Sequence, residues 1–150
     1  MVTALTVTTN ENILYKSFNA IFQLAIFKTR KQMISAINKH YKNIDVTYVT
    51  KNNCMGMFSP TYHKMADDAP GLFSSNVFGK MFLNLSDISD EVIAHECGHA
   101  AFAYEQFVRR YTGNYDDDEF NEQEDFCYFL GFAFKEVKQA VKKFKANING

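Results

Sequence analysis

Two histidines four positions apart, His95 and His99, constrain the fold more than any other feature of this sequence. On an α-helix they lie one turn apart on the same face, where both imidazoles can bind one metal ion. Glu96 follows the first histidine and stands where a general base can reach water activated by that metal. Half of the four histidines of the chain fall in this turn. The segment 92–101 (VIAHECGHAA) therefore predicts a metal-binding helix.

The ends of this helix are marked by ordinary capping residues. Ser89 is followed by two acidic residues, which is typical of an N-cap with negative charge over the positive helix end. Gly113 is a C-terminal stop signal, so we expect the helix to end at about Tyr111 or Thr112.

The rest of the chain predicts an α+β fold with a small mixed sheet. A helix start at Asn10 and apolar residues at helical spacing indicate amino-terminal helices, in two pieces, as far as about Tyr41. Ile44–Thr50 and Met81–Leu85 are predicted strands, and the long segment 59–80 between them is predicted to be a loop. A last helix is expected from about Glu119 to Ala146, with a solvated face formed by Lys135, Lys138, Lys142, Lys143 and Lys145.

Composition and net charge limit the number of domains and the kinds of partner that this chain can have. A chain of 150 residues, 47% hydrophobic and 22% charged, predicts one domain over residues 1–150. A net charge of −1 gives no basic surface for nucleic acid, and the longest apolar stretches, 20–27 and 126–134, are too short to cross a membrane. Three scattered cysteines and the lack of a secretory signal favour the cytoplasm. The sequence does not indicate an oligomeric state.

A hydrolytic zinc ion usually has three protein ligands, so a third must come from elsewhere in the chain. Glu124 is the predicted ligand, because Cys127 and Gly131 follow it at helical spacing and small residues would allow close approach to the motif helix. The alternative role for Glu124 is to cap a helix that starts at Asn121.

Glu122 is the alternative ligand. It heads a bulkier ridge with Asp125, Phe126 and Phe129, which we expect to be less suited to a tight contact between helices.

The segments Ala94–Ala100 and Glu124–Gly131 resemble the zincin metallopeptidases, in the gluzincin arrangement of ImmA/IrrE-type and small phage-encoded metallopeptidases. The resemblance covers about Met81–Gly131. It implies a zincin-like fold, and a peptide substrate lying on an edge strand that Met81–Leu85 would supply. Tyr128 stands where many gluzincins carry Asp or Asn to orient a histidine, a role left here to Asp125 or a backbone carbonyl.

Several other residues are candidates for lesser roles. Tyr111, Tyr115 and His63 are possible transition-state stabilisers. Cys97 should point away from the metal. Cys127 is expected to pack closely between helices, and metal binding is its less favoured role. The carboxylates within 116–125 form either a solvated start to the last helix or an acidic rim for a basic substrate.

Together these residues predict a zinc metallopeptidase, a hydrolase that cleaves peptide bonds in a protein or peptide. One Zn²⁺ per chain would be held by His95, His99 and Glu124, with Glu96 as general base. The competing interpretation is a non-enzymatic regulatory or binding domain that retains a structural zinc site. We expect the protein to work in the cytoplasm, that of the host cell if it is phage-encoded.

Overall fold

The computed structural model describes residues 9–43, 52–61, 76–112 and 119–149. They form an α+β fold, as predicted, built from helices and a mixed four-stranded sheet. The elements in chain order are β1 (Thr9–Tyr15), a 3-10 turn (Lys16–Phe18), β2 (Ala20–Phe27), α1 (Arg30–Asn43), β3 (Gly56–Pro60), β4 (Val77–Asn84), α2 (Asp90–Thr112) and α3 (Glu119–Asn149).

The sheet has the strand order β1-β2-β4-β3. Only β2 and β4 run parallel; β1 pairs antiparallel with β2, and β3 pairs antiparallel with β4. Helices α2 and α3 pack on one face, where Phe22, Leu24 and Ile26 of β2 join the larger core. Helix α1 covers the other face, where Ala25 and Phe27 join a smaller one. Strand β2 is therefore buried on both faces.

The predicted amino-terminal helix is wrong for residues 9–27, which form a β-hairpin. Thr9 pairs with Ile26 and Tyr15 with Ala20, and Asn19 takes the left-handed conformation (φ 50°) that the tight connection requires. The apolar run of β2 satisfies helical spacing only because almost every position in it is apolar. Periodicity alone does not separate such a buried strand from a buried helix. The helical prediction holds for α1.

The strand predicted at Met81–Leu85 is confirmed for Met81–Asn84, which belong to β4, whereas Leu85 follows the strand; its expected role as the sheet edge is wrong. Strand β4 lies between β2 and β3, so β3 is the edge of the described sheet on that side. The prediction missed β3, a five-residue strand whose last two residues overlap the expected loop. The strand predicted at Ile44–Thr50 lies outside the described residues.

Helices α2 and α3 match their predicted bounds closely. Ser89 caps α2, since its Oγ accepts a hydrogen bond from the Val92 N–H at 3.1 Å. The predicted stop at Gly113 lies outside the described residues. All five lysines of α3 named above are exposed, as expected of a solvated face. In the described part of the chain, none of the helices is both long and apolar enough to span a bilayer.

Aromatic packing fixes α2 and α3 against the sheet. The ring of Tyr104 in α2 stacks on Phe129 of α3, with centroids 4.4 Å apart and planes at 7°. Phe78 of β4 contacts both rings. Gly79 leaves room for Phe58 of the edge strand, because a Cβ at Gly79 would clash with the Phe58 ring. The sheet and α2 are thereby brought close together at the edge strand.

Candidate metal centre and adjoining cleft

The two motif histidines face each other on the exposed side of α2. Nε2 of His95 and Nε2 of His99 lie 3.2 Å apart, and their rings meet edge to face with centroids 4.9 Å apart. Partial burial and the neighbouring His95 lower the pKa of His99, which favours a neutral imidazole. A neutral imidazole is the form that binds a metal.

The separation of these nitrogens fits a shared zinc ion. Two nitrogen ligands at about 2.0–2.1 Å from a tetrahedral zinc are about 3.3 Å apart, close to the observed 3.2 Å between the two Nε2 atoms. The pair therefore supplies two ligands without rearrangement of α2. The described residues hold no group of three or more His, Cys, Asp or Glu side chains placed to bind one metal. The structure thus does not bring Glu124 together with the two histidines.

Glu96 lies on the side of α2 that faces the edge strand. Its side chain is buried, with 5% exposure. Burial raises the pKa of Glu96, while His95 and the backbone N–H of Phe58, which donates to the carboxylate, act in the opposite direction. A buried carboxylate with a raised pKa beside two histidines suits an acid-base role.

Gly56 permits this close approach of strand and helix. A Cβ at Gly56 would lie 3.2 Å from Cγ of Glu96 and 3.3 Å from a methyl carbon of Val92. Such contacts are tighter than almost all real side chains make. The absence of a side chain at Gly56 therefore helps to set the position of Glu96.

A cleft of about 350 Å³ opens between the start of β3 and the first turns of α2. It is lined by Met55, Gly56, Asp87, Ser89, Glu91, Val92, His95 and Glu96. Because the candidate metal ligand His95 and the candidate base Glu96 both belong to its wall, a molecule in the cleft would lie directly beside both side chains.

A polar network under the cleft joins the start of β3 to the start of α2. Asn84, 1% exposed, donates from Nδ2 to the Met55 carbonyl at 3.1 Å and to Asp87 at 3.0 Å. Arg30 at the start of α1 binds the Asp87 carboxylate through two hydrogen bonds of 2.8 and 2.6 Å. None of these three residues was predicted from the sequence to have a role. The available signal was an Asn at the end of a buried strand with an Asp three residues later, a turn motif.

Two arguments about Glu124 made from the sequence are wrong. Helix α3 starts at Glu119, so Asn121 lies inside the helix and Glu124 does not cap it. Cys127 and Gly131 are exposed, and a Cβ at Gly131 would meet no atom within 4 Å. These small residues do not mediate the contact between helices, and Glu124 itself is exposed.

The bulky ridge that we associated with Glu122 makes that contact instead. Asp125 accepts a hydrogen bond from the Tyr104 hydroxyl at 3.3 Å, and the rings of Phe126 and Phe102 lie 5.2 Å apart. Aromatic rings stacked between helices replace the small-residue contact that we expected. The bulk of the residues that follow Glu122 is therefore no reason to reject it as a ligand. The side chain of Glu122 itself lies outside the described part of the structure.

The remaining candidates are the two cysteines near the motif, which the structure describes, and the possible transition-state stabilisers, which it does not. Cys97 is fully buried, as predicted, and burial raises the pKa of its thiol to about 12. Cys127 is exposed rather than closely packed. His63, Tyr115 and the side chain of Tyr111 lie outside the described residues.

A scan against protein-family models, a search of curated proteins and a search of solved structures each gave no match. The function must therefore be argued from the chemistry of the site.

Proposed function

We propose that this protein is a zinc-dependent peptidase of zincin type. The observation that carries the proposal is the pair of facing Nε2 atoms, 3.2 Å apart on an exposed helix face, beside the buried carboxylate of Glu96. Two converging imidazoles with an adjacent carboxylic acid in a cleft are the parts that metal-assisted hydrolysis needs.

The residues of the chain have separate roles in this proposal. His95 and His99 would hold one Zn²⁺, and the third ligand would be an acid of α3 that the described structure does not bring to the two histidines, either Glu124, as predicted from the sequence, or Glu122. Bound zinc supplies Lewis-acid chemistry, which makes water a better nucleophile and polarises the scissile carbonyl. Glu96 takes a proton from the attacking water and passes it to the leaving amine.

The edge strand supports a peptide as the substrate. Among the described strands, β3 pairs with β4 and lies at the edge of the sheet, and we propose that an extended peptide adds to its other edge beside Glu96. Backbone pairing of this kind recognises peptides largely without regard to side chains. We place the activity in the cytoplasm, since Cys54, Cys97 and Cys127 are all unpaired.

The decisive experiment combines metal analysis with turnover. Purified protein should contain about one zinc per chain, and the zinc-loaded protein should cleave a mixed peptide library. Glu96→Gln should keep the zinc and abolish cleavage. Full activity in this variant would refute the assigned base. Zinc without any turnover would instead favour a regulatory or binding domain with a structural metal.

The third ligand is tested by comparing Glu124→Gln with Glu122→Gln. Loss of the ligand should weaken zinc binding by at least about tenfold, whereas the other variant should bind as the wild type does. Competition with a colorimetric zinc chelator measures the zinc affinity of each variant. Unchanged binding in both variants would exclude both acids.

A further inference from the structure

The cleft beside His95 combines apolar walls with a charged mouth. Met55, Gly56 and Val92 form its apolar part, and Met55 is 48% exposed although it is a large hydrophobic residue. A long side chain entering the cleft would cover this apolar surface, and such burial is favourable.

The three carboxylates that line the cleft are not equivalent. Glu96 is buried at its inner end, and the charge of Asp87 is neutralised by two hydrogen bonds from Arg30. Glu91 is exposed and makes no ion pair with any residue of the described ranges. It precedes His95 by four residues, so it lies one turn away along the same face of α2. Within the described ranges, the mouth of the cleft therefore presents one carboxylate that is not paired with a basic residue.

We propose that this cleft binds a lysine or arginine side chain of the substrate next to the scissile bond, with Glu91 as the specificity-determining residue. Lysine and arginine combine an apolar stem with a terminal positive charge, which matches apolar walls leading to a carboxylate. This inference rests on the proposed peptidase function and adds the class of substrate to it.

A purely structural role for Glu91 would be to stabilise the amino terminus of α2. Asp90 is its matched control, because it stands at the same helix end but faces Lys138 of α3, 3.3 Å away, outside this cleft. Both acids serve the helix dipole equally. Only Glu91 should affect the choice of substrate.

The test uses the zinc-loaded full chain and four peptides that differ at one position next to the cleaved bond: arginine, lysine, norleucine or glutamate. The wild type should prefer arginine and lysine over norleucine by about fivefold, the range of a partly exposed ion pair. Glu91→Gln should remove this preference, and Glu91→Lys should reverse it in favour of glutamate. Asp90→Asn should keep the wild-type preference.

Two measurements separate this proposal from the peptidase function. Binding of the same peptides to zinc-loaded Glu96→Gln protein reports the preference without turnover. A basic preference in binding without cleavage by the wild type would support the cleft and contradict the peptidase. Cleavage with equal rates for all four peptides would overturn the role of Glu91 and leave the peptidase intact.

Zinc affinity provides a further check on Glu91. Because Glu91 is assigned to the substrate, we expect Glu91→Gln to bind zinc as tightly as Asp90→Asn does. A selective tenfold loss in Glu91→Gln would show that this carboxylate orients His95 and would overturn the assignment to substrate.

Discussion

Glu96, the proposed general base, lies in a position that costs the fold stability. Its carboxylate is buried beneath the edge strand, and the hydrogen bond from the Phe58 N–H offsets only part of the cost of burial, since its pKa remains raised. Residues buried in this way at active sites commonly lower the stability of the fold.

We expect Glu96→Gln to raise the free energy of unfolding of the metal-free protein by about 1 kcal/mol at pH 7. A carboxyl group with a raised folded pKa costs stability above that pKa, and this cost disappears below the ordinary value of 4.5 for Glu96, where both states are protonated. The advantage of the variant should therefore shrink as the pH falls towards 4.5.

Urea denaturation in the presence of a chelator measures this difference. Glu91→Gln is the control, since it removes an exposed glutamate from the same helix and should change stability little. A less stable Glu96→Gln protein would mean that the Phe58 hydrogen bond outweighs the burial of the carboxylate.

Among the elements, α2 depends on its amino-terminal cap to present the histidines. The Ser89 hydroxyl satisfies the Val92 N–H, and the Ile93 N–H bonds to the Ser89 carbonyl at 3.0 Å. The first turn carries Glu91 and Val92 of the cleft wall, so fraying of that turn would disturb the cleft before it disturbs the histidines.

We expect Ser89→Ala to lower the free energy of unfolding by about 1 kcal/mol, because it leaves a helix N–H without a partner. Thermal and urea denaturation monitored by circular dichroism measure the loss. Ser35→Ala is the matched control: Ser35 is an exposed residue inside α1, where alanine is the better helix former. Equal stability of the two variants would show that the cap contributes nothing.

For the whole molecule, the network of Arg30, Asn84 and Asp87 joins parts of the chain that are far apart in sequence. Arg30 and Asp87 are 57 residues apart, and Arg30 also donates to the Asn52 carbonyl at 3.3 Å. The network therefore fixes the segment just before β3, through the carbonyls of Asn52 and Met55, relative to the turn that precedes α2. The width of the cleft depends on how far apart the network holds these two segments, the one before β3 and the turn before α2.

Acid should reveal the contribution of Asp87. The hydrogen bonds from Arg30, and secondarily from Asn84, hold the pKa of Asp87 below its usual value of 3.8. A carboxylate with a lowered folded pKa stabilises the fold above its unfolded pKa and loses that effect as the pH falls through the folded value.

Asp87→Asn should therefore destabilise the protein at pH 7, by no more than about 1 kcal/mol because the Arg30 side chain is 39% exposed and water screens the pair, and the difference should diminish below pH 3.8. Denaturation curves over this pH range measure the change. Asp90→Asn is the control, because the Asp90–Lys138 pair is 71% and 45% exposed and should contribute little. A loss that does not depend on pH would contradict the assigned charge interaction.

Local patterns in the sequence determined the helix that carries His95 and His99 and its immediate surroundings. The spacing of His95 and His99 places them on one helix face whatever the rest of the chain does, and Ser89 marks the start of that helix through a contact three residues away. The bounds of α3 and its solvated lysines follow from helical periodicity in the same way. Burial of Cys97 could be predicted because helix geometry alone turns it away from the histidines.

Tertiary structure decided everything that depends on pairing between distant segments. The apolar run 20–27 became a central strand because β1 and β4 pair with its two edges, and strand and helix were indistinguishable in that run locally. Contacts between residues tens of positions apart produce three features of the structure: the edge position of β3, the burial of Glu96 beneath it, and the face of α3 that meets α2. Such contacts leave no periodic signal in the segments that make them.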